Sequence, residues 1–536
     1  MEASKHVNGM ILEVDESPKK IRSWIILAIQ HVLAMFVACI TVPFIVFNGY
    51  INVSGGSLAQ SLIAPTLVSA GIGTLIYIFL TKMKSPMFLA SSFAYISPML
   101  AAVSLGSQKI FDASGNYLGM SANLWSLPIG MTIVGLMYVI VALIIRFAGV
   151  NWLNRLLPTI VIGPVIMVIG LGLSASAISN LTSASGNGSS YNLPALFSGL
   201  VGMIVTALCA HYGKKTLSLI PFVIGMCAGY LTAMLFTLIG YYGAHDDYFH
   251  AINFEPLVSL FVKDGHAHVT LQSFLDYPSF LFLPQNWNYA TANGLYTLRE
   301  GAKTLENGNA AITDLVAGAK NTFSASQLGT ITLLFLPVSF VTICEHIGDH
   351  KNMSGLLQRD LLENPGLTKT LMGDGIATAA SGLLCGAANT TYGENVAVVG
   401  VTKIASVKVL ILACLFSIGL GFLSPVMGLT QTIPTCVTGG VSLLLYGFIA
   451  ASGVKMMINE HIDMGKTKNI FVASVILVAG IGGLVLSFGT RENPELIKIT
   501  STAVAMILGI IMNAILKDKK TDDTEVQKED MNQLNG

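Results

Sequence analysis

The sequence predicts an all-α, polytopic membrane protein with about fourteen spanning segments arranged as a 7+7 inverted repeat, and three observations carry that reading. Of 536 residues, 53% are hydrophobic and only 11% are charged, whereas soluble domains carry about a quarter charged residues. Apolar runs of bilayer length follow one another along most of the chain. One motif recurs, because Pro158-Thr-Ile-Val-Ile-Gly-Pro-Val165 and Pro434-Thr-Cys-Val-Thr-Gly-Gly-Val441 agree at Pro, Thr, Val, Gly and Val.

The chain opens with a charged stretch, residues 1–22, that leads into a full-length apolar span. That span is too long for a cleaved signal peptide, so the first helix is expected to stay in the membrane. At about 20 apolar residues per span, the first seven spans begin near Ile25, Leu62, Pro86, Leu127, Thr159, Leu193 and Leu219. The second seven begin near Ile331, Thr370, Tyr392, Val409, Thr435, Ile470 and Thr500. The third span holds Ser91, Ser92 and Ser97, and the tenth holds Glu394 and Asn395 after the polar run Asn389, Thr390 and Thr391. Both read as half-helices preceded by extended backbone, which lipid tolerates only inside protein or against a wet cavity. Interrupted segments at corresponding places in two halves point to a substrate site near the midplane.

Between the halves, the loop from Tyr242 to about Gln327 is polar and contains His245, His250, His266 and His268. These lack metal-ligand spacing, and no chemistry is assigned to them. Lys and Arg set the orientation. With the N-terminus inside, the short loops bearing Lys82 and Lys84, Arg146 and Arg155, Lys214 and Lys215, Arg359 and Lys369, and Lys455, Lys466 and Lys468 are all cytoplasmic, as the positive-inside rule requires. The repeated motif then starts inside at Pro158 and outside at Pro434, the mark of inversion. Acidic and basic residues balance at 29 each, so bulk charge gives no argument for a nucleic-acid partner. The seven cysteines are odd in number and form no CxxC pair, which excludes a disulfide framework as a reading.

Chemistry is expected at the acids inside apolar segments, since such groups mark function by default. Glu394 stands at the tenth-span break. Glu345 and Asp349 are four apart and share a helix face, with His346 and His350 beside them; two carboxylates so close in low dielectric do not both ionise without cost. A zinc site at these histidines lacks the HExxH order and a clear third ligand, so no metal is assigned. Glu345 lies about 21 Å along the helix from Ile331, so either this helix is shifted in the bilayer or the pocket is off centre.

Five motifs in order carry a family resemblance: Gln30-His31, Ser91-Ser-Phe-Ala-Tyr-Ile-Ser-Pro98, Glu345-His-Ile-Gly348, Asn389-Thr-Thr-Tyr-Gly-Glu-Asn395 with Thr402-Lys403, and Gly439-Gly-Val-Ser-Leu-Leu-Leu-Tyr446. Together they resemble the nucleobase-ascorbate transporter family (nucleobase:cation symporter-2), most closely its bacterial uracil permeases, over nearly the whole chain. The resemblance implies short antiparallel strands before half-helices 3 and 10. It also implies a core domain from residues 23–150 and 327–430, a gate domain from 151–241 and 431–516, an extracellular loop at 242–326, and cytoplasmic tails at 1–22 and 517–536.

By the same resemblance, Glu345 accepts hydrogen bonds from the ring N–H groups of a nucleobase. Phe93 and Tyr392 pack around the ring, Ala38 forms a small floor, and backbone groups at Phe93 and Gly393 bond its polar atoms. Glu394 is the proton-linked acid with His31 as its polar partner, and Asp349 bears on proton coupling and selectivity. Three features depart from the family pattern. Ala397 stands where Gly is usual, Asp349 where some uracil permeases have His, and the outer loop is long. Glu394 in place of the Gln common in xanthine and urate carriers favours uracil.

The expected function is proton-coupled uracil uptake across a bacterial plasma membrane by alternating access, with H+ as coupling ion and no cofactor. Membrane lipid is the other partner, and the family analogy offers a homodimer through the gate. Three competing readings are a xanthine, urate or other base carrier, an anion channel or exchanger of the same architecture, and, weakest, an intramembrane hydrolase, for which Ser91 and Ser92 have no His or Lys partner by motif.

Overall fold

The computed structural model describes residues 9–47, 49–50, 58–105, 107, 109–111, 117–120, 122–124, 126–183, 191–214, 217–218, 220–263, 265–278, 325–387, 389–488 and 497–516. Most of the predicted outer loop, from residue 279 to 324, and the C-terminal tail lie outside these. In the first half the segments are α1 Ile21–Val46, α2 Ile63–Leu80, β1 Leu89–Ser91 leading into α3 Ile96–Val103, α4 Ser126–Ala148, α5 Thr159–Gly172, α6 Leu193–Tyr212 and α7 Pro221–Ile239. The second half gives α8 Ala325–Leu357, α9 Leu367–Leu383, β2 Asn389–Thr391 leading into α10 Gly393–Thr402, α11 Val407–Gly421, α12 Thr435–Asn459, α13 Thr467–Ile481 and α14 Ser501–Ile515. Among the described residues eight helices are long and apolar enough to cross a bilayer, and four shorter apolar ones join them. With α9 and α10 these make two sets of seven.

Inversion is visible in the packing. α5 and α12 both start after an extended proline, Pro158 and Pro434, and the two helices lie against each other in opposite directions. A side chain at Gly163 would meet Met457 and Gly453, whereas one at Gly170 would meet Tyr446 and Ala450. The same holds for the strands, since β1 pairs antiparallel with β2 in the register Leu89 to Thr391, Ala90 to Thr390 and Ser91 to Asn389.

Small residues bring the helices close, as is usual where lipid gives no hydrophobic drive for helix association. Gly71 of α2 has no room for a side chain beside the Cys414 carbonyl of α11, and Gly135 of α4 none beside the Gly375 carbonyl of α9. These two contacts are equivalent by the repeat, second on eleventh and fourth on ninth. Elsewhere α5, α6 and α7 pack with α12, and α13 and α14 close on α5. Outward side chains such as Phe197, Ile204, Leu231 and Leu235 are exposed, a surface suited to lipid.

Each strand is pinned by a threonine of the helix before it. Thr74 of α2 accepts from the Leu89 N–H at 2.9 Å and divides its single proton between the Ala70 carbonyl at 2.7 Å and the Leu89 carbonyl at 3.1 Å. Thr378 of α9 donates to the Asn389 carbonyl, and Asn389 Nδ2 donates to the Ser69 carbonyl at 2.8 Å. Backbone that a helix would satisfy by itself is here satisfied by neighbours, as a dry setting demands.

Part of the N-terminal stretch read as a tail is packed. Met10 and Val14 are buried, and the backbone beside them pairs with the α10–α11 junction: Ile11 N donates to the Lys403 carbonyl at 2.7 Å, Ala405 N to that of Leu12 at 3.0 Å and Val407 N to that of Val14 at 2.9 Å. Helix α8 has 33 residues, about 50 Å of length against a core of about 30 Å. It therefore runs well beyond the hydrocarbon.

Candidate functional site

The site is built where β1 and β2 give way to helices. Phe93 opens the single 3-10 turn ahead of α3, Tyr392 is the extended residue at the start of α10, and Gly393 and Glu394 form its first turn. A bond from Tyr392 N to the Phe88 carbonyl, 3.0 Å long, extends the strand pair by one residue and brings the two helix starts together. Helix starts leave backbone N–H groups without intrahelical acceptors, so both present donors towards the same space.

Helix α8 lies across this break. Asp349 Oδ2 accepts from the Thr391 hydroxyl at 2.9 Å, and a side chain added at Gly393 would stand 3.5 Å from Asp349 Oδ1. Glu345, one turn back, is within electrostatic reach of Asp349 and Glu394. All three carboxylates are half-buried and Gly393 is exposed, whereas Tyr392 and Phe93 are buried at 5% and 8% exposure. These six residues from α8, β1–α3 and β2–α10 form one constellation of three acids, two aromatic rings and a glycine. Ala38 of α1 exposes no surface and sits within the packed core.

His31 differs from its expected partnership. Its Nδ1 lies 2.8 Å from Asn395 Oδ1, and both side chains are buried. On α10 the side chain following Glu394 points about 100° away from it, so α1 is bonded to the residue after the acid and not to the acid itself.

Behind the strands lies a polar network. His346 Nδ1 and Asp374 Oδ2 are 2.7 Å apart with both side chains wholly excluded from solvent, and Thr390 of β2 donates to the same oxygen at 3.5 Å. His350 Nδ1 donates to the His346 carbonyl at 2.7 Å, which in a neutral ring leaves Nε2 to accept from the Tyr77 hydroxyl at 2.6 Å. Ser85 completes the run at 2.8 Å from Tyr77. The two histidines are thus used as a stacked pair, centroids 4.1 Å apart. Among the described residues no group of three or more His, Cys, Asp or Glu side chains is arranged to hold a metal ion.

Two residues in this surrounding were not singled out by chemistry in the sequence. Asp374 had a signal, a lone acid inside the apolar ninth segment, the same test that marks Glu394. Tyr446 of α12 faces Phe93 edge-on with ring centroids 6.3 Å apart; it comes from the other half of the packing, and only three-dimensional placement reveals it.

Comparison with known proteins adds the following. A family model described as the Permease family matches residues 22–271 and 315–487. The chain is 35% identical to a uracil permease of Bacillus caldolyticus over 510 residues, 95% of each chain. It is 32% identical to a uracil permease of Bacillus subtilis (strain 168), again over 95% of each. Among solved structures it superposes on the murine Solute Carrier 26 family member A9 anion transporter in the inward-facing state with a TM-score of 0.58 at 11% identity, covering 93% of this chain and 69% of that one. This last likeness concerns the fold.

Proposed function

The chain belongs to the Permease family and is a multi-pass membrane transporter, and on that premise we propose that it takes up a nucleobase, uracil in the first place, together with protons across the bacterial plasma membrane. The observation that supports this reading is the grouping of the partly exposed Glu345, Asp349 and Glu394 with Phe93, Tyr392 and Gly393 where the strands give way to helices. A small planar base needs flat apolar walls and a few convergent polar groups. Phe93 and Tyr392 supply the walls, while Ala38, expected as a floor, is packed away from solvent behind them. Glu345 accepts from the ring N–H groups, and the N–H groups at the two helix starts meet the ring carbonyls, where the helix dipoles favour partial negative charge.

Carboxylates are also the groups here able to take up and release a proton. Glu394 and Asp349 do so next to the bound base, with His31 holding α10 through Asn395. Proton and base then favour each other's binding reciprocally, and the gradient drives accumulation. Alternating access moves the core, α1–α4 with α8–α11, against the gate, α5–α7 with α12–α14. The Lys and Arg distribution supports cytoplasmic termini, and family analogy supports pairing of two chains through the gate.

The test is radiolabelled uracil uptake into proteoliposomes with and without an inward proton gradient, competed by unlabelled xanthine. Gradient-dependent uptake indifferent to xanthine is expected. Competition by xanthine would widen the substrate to other bases, and absence of gradient dependence would remove the proton from the scheme.

A further inference from the structure

Helix α8 carries Glu345, Gly348 and Lys351 at three-residue steps, winding about 120° around the helix, and beyond the acids Gly348 and Lys351 approach α12 and the residue after it. Gly348 is close enough to Met456 that a methyl added there would stand 3.6 Å from its Cε. At the end of both helices Lys351 Nζ lies 3.4 Å from Glu460 Oε1, with both side chains half exposed. Along α8 the six residues from Glu345 to Lys351 span about 9 Å. The ion pair therefore lies about 9 Å along α8 from Glu345, with Met456 against Gly348 between them, and Phe93 beside the site meets Tyr446 of the same helix α12.

From this arrangement we propose that Lys351 and Glu460, backed by Met456 on Gly348, form a latch that closes the substrate path on the lysine-bearing side and opens once in each transport cycle. The inference rests on the transport reading above, in which α8 and α12 belong to bodies that move apart. Its parts suit a reversible closure. An exposed ion pair contributes little to stability, so it biases a state without trapping it, and screening water is already at hand. Methionine adapts its shape to what it touches, and a glycine opposite lets the two helices separate without unlocking interdigitated side chains.

Two sets of variants test the latch, and both positions are exposed enough to be changed without cost to the core. In the first, Lys351→Cys with Glu460→Cys is joined by a short bifunctional thiol reagent, with the parent protein treated in parallel because it has seven cysteines of its own. With a bis(methanethiosulfonate) reagent, which forms a disulfide at each cysteine and releases sulfinate, joining is expected to lower uracil uptake more than tenfold while equilibrium binding stays within about twofold, and a thiol reductant, which cleaves both disulfides, restores uptake. Failure of the cross-link to form, or full uptake by the joined protein, overturns the proposal.

In the second set, K351E and E460K are each expected to change maximal uptake about threefold, and the charge-swapped double variant to return to the parent value. Single variants that behave as the parent, or a swap that fails to recover, overturn it. Hydrogen exchange along Met456–Asn459 reads the same contact without any substrate. It rises in each single variant and falls back in the swap if the latch exists, and stays constant if it does not. An unmodified protein that takes up no uracil condemns the substrate assignment, and the exchange measurement still decides the latch.

Discussion

His346 and Asp374 face each other at 2.7 Å with no solvent on either, joining α8 to α9 directly behind the strand that forms the site. The contact holds at least one shared proton and fixes the imidazole plane, while Thr390 ties the same carboxylate to β2. Removing one member of a buried hydrogen-bonded pair costs about 1–3 kcal/mol because the other is left unsatisfied. Asp374→Ala is expected to lower the thermal stability of the purified protein and to cut uptake at least tenfold, with Asp374→Asn milder in both. Thermal unfolding alongside uptake checks this, and an Ala variant as stable as the parent would contradict the role assigned to the pair.

Glu345→Gln and Glu394→Gln are expected to differ in kind. The first replaces one of two acceptor oxygens and the negative charge by an NH2 donor and should weaken equilibrium binding at least tenfold. The second keeps binding closer to the parent but loses the response of uptake to an imposed proton gradient. Wild-type affinity and uptake in both would sink the site assignment.

Thr74 satisfies both backbone groups of Leu89, and Thr74→Val keeps its shape while deleting both bonds. At about 1 kcal/mol for each net hydrogen bond, a loss of roughly 2 kcal/mol is expected, read as a lower unfolding temperature. Thr378→Val, which deletes one such bond, should cost about half as much.

Deleting residues 1–17 removes the buried Met10 and Val14 together with the backbone pairing to the α10–α11 junction. Burial of such side chains contributes about 1.5–3 kcal/mol each. The truncated protein is therefore expected to unfold at a lower temperature and to bind uracil less tightly, because α10 carries Glu394. Unchanged binding and stability would show the segment to be a passive tail.

Much of this was legible from the chain. The beginnings expected for the spans at Thr159, Leu193 and Thr435 are the observed ones, since hydrocarbon thickness imposes a length that composition records. The breaks before α3 and α10 could be read from Ser91, Ser92 and the Asn389–Thr391 run, because polar residues there contradict a lipid-facing helix. The N-terminal pairing was harder, although Met10, Leu12 and Val14 alternate as a strand does; charged neighbours concealed so short a signal. The partnership of His31 with Asn395 was not legible, since which of two adjacent polar residues meets a distant helix depends on the rotation of α10. Contacts between distant helices, such as that of Lys351 on α8 with Glu460 after α12, join residues over a hundred positions apart and leave no local trace.

The β1–β2 pair also sets an order of events during synthesis. One strand comes from each half, so Ser91 meets its partner only when Asn389 emerges roughly 300 residues later, about 15–60 s at about 5–20 residues per second. Through that interval the first strand has no pairing edge inside a bilayer that punishes bare backbone with several kcal/mol per group. The Thr74 hydroxyl, which accepts from the Leu89 N–H in the finished protein, belongs to the same half as the first strand and so is synthesised before its pairing edge arrives.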